Sequence, residues 1–490
     1  MKAQGANRDS HARGSLDVDS TDRVPPATFI TPERVVAEVE RHILLDGFRV
    51  VVDLERSRGC RLVDAVTGRE LLDLYGFYGS LPVGFNHPWF ARPEVQADLL
   101  QAAGTKVANS DVLSVPYATF VGTFNRVMGL APLERYFFIE GGALAVENAL
   151  KAAMDWKVRK NLAAGHGPRG TEILHFEHAF HGRSGYTLSL TNTDPRKTDY
   201  FAKFNWPRVP APSINFALPE PQRTNDVMAR ERRAEEQIVE ILENRALDIA
   251  AVIIEPVQGE GGDNHFRGEW LATLRRLCDQ FEVLLIFDEV QCGVGVTGRN
   301  WCCEHSGVLP DLLVFGKKAQ VGGVMAGPRL DEVAENCFRL PGRINSTWGG
   351  NLADMVRATH YFRIIEQERL VENARLIGAA LLEQLHALSA AEPLIRAPRG
   401  RGLMLAFDLP SREQRDEFHA GLFELGLLAL RCGERSIRFR PVLDISMSVC
   451  QQALSLLREQ CKRTRSGVRS AERHLREEPL IPQRGGAATK

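Results

Sequence analysis

The sequence predicts an α/β protein: a mostly parallel central sheet with helices on both faces, joined to a smaller α+β domain. Three observations carry this. Short apolar runs of strand length (Arg135–Ile139, Glu172–Phe176, Ala250–Ile254, Val283–Phe287 and Leu312–Phe315) alternate with stretches of helical periodicity such as Glu269–Phe281. Runs that are apolar throughout belong to strands buried on both faces, as in a parallel sheet. The chain has 490 residues, more than one simple core absorbs, and its pattern changes after Gly350 to long helices and well-separated strands.

Residues 1–26 are polar, mixed in charge and end at Pro25-Pro26, so they read as a disordered tail rather than a secretory signal. Thr31-Pro32-Glu33-Arg34 reads as an N-cap with proline at the first helical position, opening a helix to about His42. Strands are expected at Phe48–Leu54 and Cys60–Asp64, and the Gly- and aromatic-rich run Leu71–Pro88 reads as a loop lining a site. A helix follows Glu140-Gly141-Gly142-Ala143 and extends to about Asn161. Trp206–Arg223, with five prolines, is an irregular surface excursion. Beyond Gly350 come helices at about Leu352–Gln367 and Leu370–Ser389, strand Leu403–Leu409, helix Arg412–Leu425, strands Leu427–Arg431 and Ser436–Arg440, and a helix over about Ser446–Lys462. The charged end, Arg463–Lys490, reads as a mobile tail. The implied domains are a tail at 1–26, the N-terminal part of a small domain at 27–95, a large cofactor-binding domain at 96–347, a C-terminal small α+β domain at 348–465, and a tail at 466–490.

Net charge is −1, from 61 basic and 62 acidic residues, which disfavours nucleic acid or an anionic membrane as partner. Nine scattered cysteines without a CxxC argue against a disulfide framework or a metal site and for a reducing, cytoplasmic compartment. No apolar stretch is long enough to cross a bilayer.

The chemistry is concentrated at strand ends. Val283–Phe287 runs into Asp288-Glu289-Val290-Gln291, and Leu312–Phe315 runs into Gly316 and Lys317. A carboxylate at one strand end and a lysine at the next is what pyridoxal phosphate (PLP) requires. The lysine holds the cofactor aldehyde as a Schiff base, and the carboxylate keeps the pyridine nitrogen protonated, so that the ring accepts electrons from a substrate carbanion. A lone Lys-Lys pair is usually solvated. Behind an apolar strand and a glycine, with Asp288 upstream, Lys317 reads as the nucleophile, while Lys318 keeps the surface reading. A buried carboxylate without a cation is costly, which a pyridinium partner for Asp288 relieves. Gln291 would donate to the ring hydroxyl and Val290 would pack on a ring face.

Glu140-Gly141-Gly142-Ala143 stands where a strand turns into a helix, and glycines at a helix N-terminus let a phosphate approach backbone N–H groups. Phe180 in Phe180-His181-Gly182-Arg183 would stack on the ring, Arg183 would clamp a substrate carboxylate, and His181 reads as structural. Glu255 and Glu260, separated by proline and glycine after a strand, point into a crevice. Glycoside hydrolysis by that pair has no other support in the sequence. Asn345-Ser346-Thr347 offers amide and hydroxyl donors, and Arg438 is a second carboxylate clamp.

Taken together, these blocks resemble the class III aminotransferases of PLP fold type I over about residues 30–462. Within that class the wording is closest to the lysine 6-aminotransferase branch. The similar stretches are Gly141–Lys151, His181–Asn192, Phe315-Gly-Lys-Lys318, Val324–Gly327 and Asn345–Gly350. The resemblance implies transfer of the terminal amine of L-lysine to 2-oxoglutarate in a homodimer with shared active sites. It implies Lys317 and Asp288 as the catalytic pair, and backbone N–H groups of Gly142 and Ala143 on the phosphate, joined by Thr347 from the neighbouring subunit. Glu255, Phe180, Val290 and Gln291 complete the cofactor pocket, Arg183 and Arg438 hold substrate carboxylates, and Glu260 pairs with Arg438. Departures from the branch are the aromatic loop Leu74–Pro82, where Tyr78 would narrow the pocket, Ala319 in place of a threonine, and Gly322-Gly323, which reads as flexible. Other ω-amines (ornithine, 4-aminobutyrate, diaminobutyrate) and a PLP racemase or aminomutase of the same fold are the alternatives. A PLP-binding regulator would need a DNA-binding module, for which the N-terminal residues are too few.

Overall fold

The computed structural model describes residues 30–477; the tail expected over 1–26 and the end of the expected C-terminal tail lie outside the described residues. Backbone contacts group the chain into two compact units, residues 30–52 with Asp64–Arg69, and Asp53–Val63 with residues 70–477. The first holds the helix Pro32–Glu40, which has Thr31 at its N-cap and proline in its first turn. The strand expected at Phe48–Leu54 reduces to a single bridge, Val52 to Asp64. Asp64 starts a turn closed by Gly68 N donating to its carbonyl, so that side offers no length of strand to pair with.

The second unit is built on a seven-stranded sheet: β1 (Arg135–Ile139), β2 (Glu172–Phe176), β3 (Arg208–Val209), β4 (Ile249–Ile254), β5 (Leu284–Asp288), β6 (Leu312–Phe315) and β7 (Gly322–Ala326). Their spatial order is β1-β7-β6-β5-β4-β2-β3. The contacts among β2 to β6 are parallel, and β7 runs antiparallel to both its neighbours. Every residue of β4, β5, β6 and β7 is buried. Alternation along each strand divides these side chains between two cores. Leu284, Ile286, Leu312 and Val314 face one, with Trp156 of helix α1 (Gly142–Ala163). Leu285, Phe287, Leu313 and Phe315 face the other, with Trp270 and Leu274 of the helix Gly268–Gln280.

β7 corrects an expectation. Gly322-Gly323 are buried in a strand rather than flexible, and a Cβ on Gly323 would meet the Phe315 ring and lie 2.6 Å from the Phe137 carbonyl oxygen. The glycine admits an aromatic ring from the neighbouring strand. The helices Pro93–Ala103, Val115–Met128 and Gln222–Arg245 also exceed the sequence expectation. In the last of these the buried positions are Val227, Glu231, Ala234, Ile238 and Leu242, a single stripe too narrow to stand out in a charged segment.

The remainder has α+β character. Arg61–Val63, Glu70–Asp73 and Leu427–Leu428 form one small sheet, and Arg396–Arg401, Met404–Asp408, Ser436–Phe439 and Leu430–Cys432 form an antiparallel one. The strand expected over Leu427–Arg431 is thus shared between two sheets. The last helix, Met447–Glu477, runs past the expected end at Lys462. Among the described residues no helix is long and apolar enough to cross a membrane.

Candidate active site

Parallel pairing of β5 and β6 sets Asp288 level with Val314, so Asp288 and Lys317 emerge at the same carboxyl edge of the sheet. Open α/β sheets bind ligands at that edge. Asp288 is buried, and its carboxylate accepts from Val290 N at 3.0 Å and lies 2.7 Å from His181 Nδ1. His181 is buried as well, and Asp288 is the hydrogen-bond partner of its ring among the described residues. Read from the sequence as a structural histidine, His181 is thus in direct contact with the candidate carboxylate, Asp288.

Lys317 has φ +49°, the left-handed region that costs a non-glycine residue about 1–2 kcal/mol. Strain of this kind concentrates at functional sites. Its Nζ donates to the Tyr78 carbonyl at 3.2 Å. Burial first, then the nearby Arg438, pushes its amine down to about 8, with Glu260 opposing. Lys318 is the reverse of a surface lysine. It is buried, its Nζ donates to the carbonyls of Leu81 at 2.8 Å and Pro441 at 3.1 Å, and burial pushes it down to about 7. The tight turn Lys317–Ala319 aims it inward, which no local sequence signal announces.

Tyr78 belongs to a turn in which Gly76, Phe77, Tyr78 and Gly79 all have positive φ, from 51° to 75°. Asp73 anchors this left-handed turn by accepting from Tyr75 N and Gly76 N at 2.8 Å each. Glycine is required at 76, where a Cβ would collide with the Arg440 carbonyl. The Tyr78 ring is half exposed, edge-on to Tyr75 at 5.1 Å.

Helix α1 opens at Gly142 with no side-chain cap, leaving its first N–H groups, including those of Gly142 and Ala143, without intrahelical partners. A Cβ on Gly142 would lie 2.8 Å from Val290 Cγ1, and one on Gly316 would lie 3.4 Å from Gly142 Cα. The helix start, Val290 and the Gly316–Lys317 corner therefore converge. An uncapped helix N-terminus with a glycine floor, beside a lysine near neutrality and a braced carboxylate, fits the phosphate, aldehyde and ring nitrogen of PLP.

Glu255 is buried and accepts from Phe180 N at 2.9 Å and Gly259 N at 3.2 Å, tying together the loops that carry Phe180 and Glu260. Burial pushes its carboxyl up to about 7, with His181 opposing and Asp288 adding. Glu260 bonds Arg438 through Oε2 and accepts from Lys197 Nζ at 2.6 Å through Oε1. Burial pushes Glu260 up, but Arg438 and Lys197 outweigh it and hold the carboxyl at about 2. Arg438 also donates to Gln291 Oε1 at 2.8 Å, and Arg440 to the same atom at 3.3 Å, which leaves the Gln291 amide group for the other side. Arg440 and Asp263 form a fully buried ion pair behind Arg438. Arg183 is exposed and has no hydrogen bond or ion pair among the described residues. Thr347 is exposed too, and its carbonyl accepts from Ser110 rather than joining the cup within this chain. Sequence reasoning missed Lys197, Asp263 and Arg440. Basic and acidic residues on loops carry no pattern until folding pairs them.

Comparison with known proteins gives the family. The family model for aminotransferase class-III matches residues 46–460. The L-lysine-epsilon aminotransferase of Mycobacterium tuberculosis is 51% identical over 431 residues, 87% of this chain and 95% of that protein. Its counterpart in Streptomyces clavuligerus is 48% identical over 422 residues, 86% of this chain and 92% of that protein. A solved structure of the lysine aminotransferase from M. tuberculosis in the internal aldimine form superposes with a TM-score of 0.86 at 50% identity, covering 88% of this chain and 99% of that one. The chain therefore belongs to the class III aminotransferases and is a pyridoxal-phosphate-dependent transaminase.

Proposed function

We propose that this enzyme moves the terminal amine of L-lysine to 2-oxoglutarate, giving 2-aminoadipate 6-semialdehyde and glutamate. The observation that carries the reading is the Glu260–Arg438 pair, within the electrostatic reach of Lys317. Lysine presents an uncharged methylene chain next to its reacting amine, whereas glutamate presents a carboxylate there. With Glu260 on Arg438 the cation is masked and the methylene chain is accepted. With Glu260 displaced, Arg438 is free to take a carboxylate. The similarity to lysine-epsilon aminotransferases over most of the chain supports the same donor.

Pyridoxal phosphate, held by Lys317, supplies the electron sink for the substrate carbanion. The protein does the rest. Asp288, braced by His181 and Val290 N, keeps a proton on the ring nitrogen. Gly142 and Ala143 N–H groups would hold the phosphate, Phe180 and Val290 would pack on the ring, and the Gln291 amide would donate to its hydroxyl. Lys317 Nζ, once released as a free amine with its pKa lowered to about 8, would take and return the proton at the substrate carbon. Arg183 takes the distant carboxylate of lysine, and Tyr78 limits the donor's width. A homodimer completes the phosphate site with Thr347 of the partner subunit. Exposed Leu113 and Val115 follow Ser110, which bonds the backbone at Ser346 and Thr347, and this apolar surface suits such an interface. Nine buried free thiols suit the cytoplasm.

The test is a half-reaction screen. The PLP-loaded enzyme is mixed separately with lysine, ornithine, 4-aminobutyrate and diaminobutyrate, and loss of the cofactor's visible absorbance is followed. Lysine should react fastest. No response to lysine, or a faster response to another donor, overturns the assignment.

A further inference from the structure

Glu260 has a second cation besides Arg438. Lys197 Nζ donates to Oε1 at 2.6 Å while Arg438 holds Oε2, so each carboxylate oxygen has its own partner. The ion pair that Lys197 makes among the described residues is this one. Its position is prepared. It ends a short 3-10 turn, Pro195–Lys197, whose cap residue Asp194 accepts from Arg196 N at 3.0 Å, and Thr198 N closes the turn on the Pro195 carbonyl at 2.9 Å. The Lys197 ammonium also sits 5.3 Å from the centroid of the Phe180 ring, so it lies against the wall that Phe180 forms. On the other side the Glu260 backbone is fixed by Gly433 N donating to its carbonyl at 3.0 Å. Displacing the carboxylate therefore requires only side-chain rotation about a held backbone.

We infer that Lys197 is a positioning residue for dicarboxylate substrates: it keeps hold of Glu260 when an incoming carboxylate takes Arg438. This rests on the two-state reading of Glu260 given above and adds a residue to it. The charge balance gives the reason. Lys197 and Arg438 each carry +1 and Glu260 carries −1, so the cluster has one net positive charge. A second substrate carboxylate brings it to zero. Without Lys197 the Glu260–Arg438 pair is already neutral, and the same carboxylate would leave an unpaired anion in a site where Glu260 is only 21% exposed. An anion left unpaired in such a place is costly. Lys197 supplies the resting partner, so opening the gate exchanges one partner of Glu260 rather than stranding it. Binding of an ω-amine with a neutral chain at this point leaves the cluster as it is.

The test uses the PLP-loaded enzyme and glutarate, a dicarboxylate with no oxo or amino group, titrated by calorimetry. Lys197→Met should weaken glutarate binding about tenfold, a typical loss for one partner of a partly buried charge cluster. Lys197→Arg should restore most of it. In turnover the KM for 2-oxoglutarate should rise more than kcat falls. The same substitution is then made in a Glu260→Gln background, where no carboxylate needs a second partner, and it should change glutarate affinity less than twofold or so. If Lys197→Met weakens glutarate equally in both backgrounds, Lys197 acts on the ligand directly and the inference is wrong. Unchanged binding in Lys197→Met, with an unchanged thermal melt, also overturns it. If Glu260→Gln by itself leaves glutarate affinity unaltered, the two-state reading of Glu260 fails instead.

Discussion

Replacing His181 by alanine probes the wall of the site that holds the ring nitrogen. His181 and Asp288 are both buried, and the Nδ1 to Oδ2 distance is 2.7 Å. Among the described residues the Asp288 carboxylate accepts one other hydrogen bond, from Val290 N at 3.0 Å. The substitution thus removes one of two bonds to a buried carboxylate, and a hydrogen bond to a charged group contributes about 1.5–3 kcal/mol net. That corresponds to about a ten- to hundredfold change in an equilibrium or rate constant that depends on Asp288. The assay is titration of the apoenzyme with PLP by fluorescence, followed by the single-turnover reaction with lysine and a urea melt of both proteins. PLP affinity and the half-reaction should fall by comparable factors. His181 works through Asp288, so His181→Ala combined with Asp288→Asn should lose little more than Asp288→Asn by itself. Additive losses, or a urea midpoint that drops while PLP affinity holds, would refute the reasoning and return His181 to a packing role.

Two further outcomes follow from the same site. The Lys317 amine sits at about 8, so PLP uptake by the apoenzyme, which needs the neutral amine, should quicken about tenfold per pH unit below that value and level off above it. The folded value lies below the unfolded one, so this group costs stability at neutral pH, and the cost is relieved as pH rises through about 8 toward the ordinary lysine value. An uptake rate that climbs without a break to about pH 10 would place the amine at its ordinary value. Asp263→Ala leaves Arg440 buried without its carboxylate and should cost about 3–5 kcal/mol in urea unfolding. A loss under about 1 kcal/mol would show that the pair is hydrated.

Much of the sheet was legible because its strands are apolar throughout, and their ends carry the residues that the cofactor's chemistry demands. Asp288 and Lys317 stood out for that reason, and parallel pairing of β5 and β6 converts two strand ends into one edge. The helix Gln222–Arg245 was illegible because its apolar stripe is one residue wide within a charged segment. Gly322-Gly323 misled because a glycine pair signals freedom locally, whereas the ring of Phe315 fills the space that a side chain would take.

By itself the sequence determined the α/β class and the cofactor and singled out Asp288 and Lys317 as the candidate pair, since strand periodicity and the residue types at strand ends are local properties. Only the tertiary structure decided which charges meet. It buried Lys318 on two carbonyls, set His181 behind Asp288, and placed Lys197 and Arg438 on opposite oxygens of Glu260. Those partners come from segments far apart in the chain, and an ion pair has no sequence period. Its existence depends on distance and burial, which the fold alone supplies.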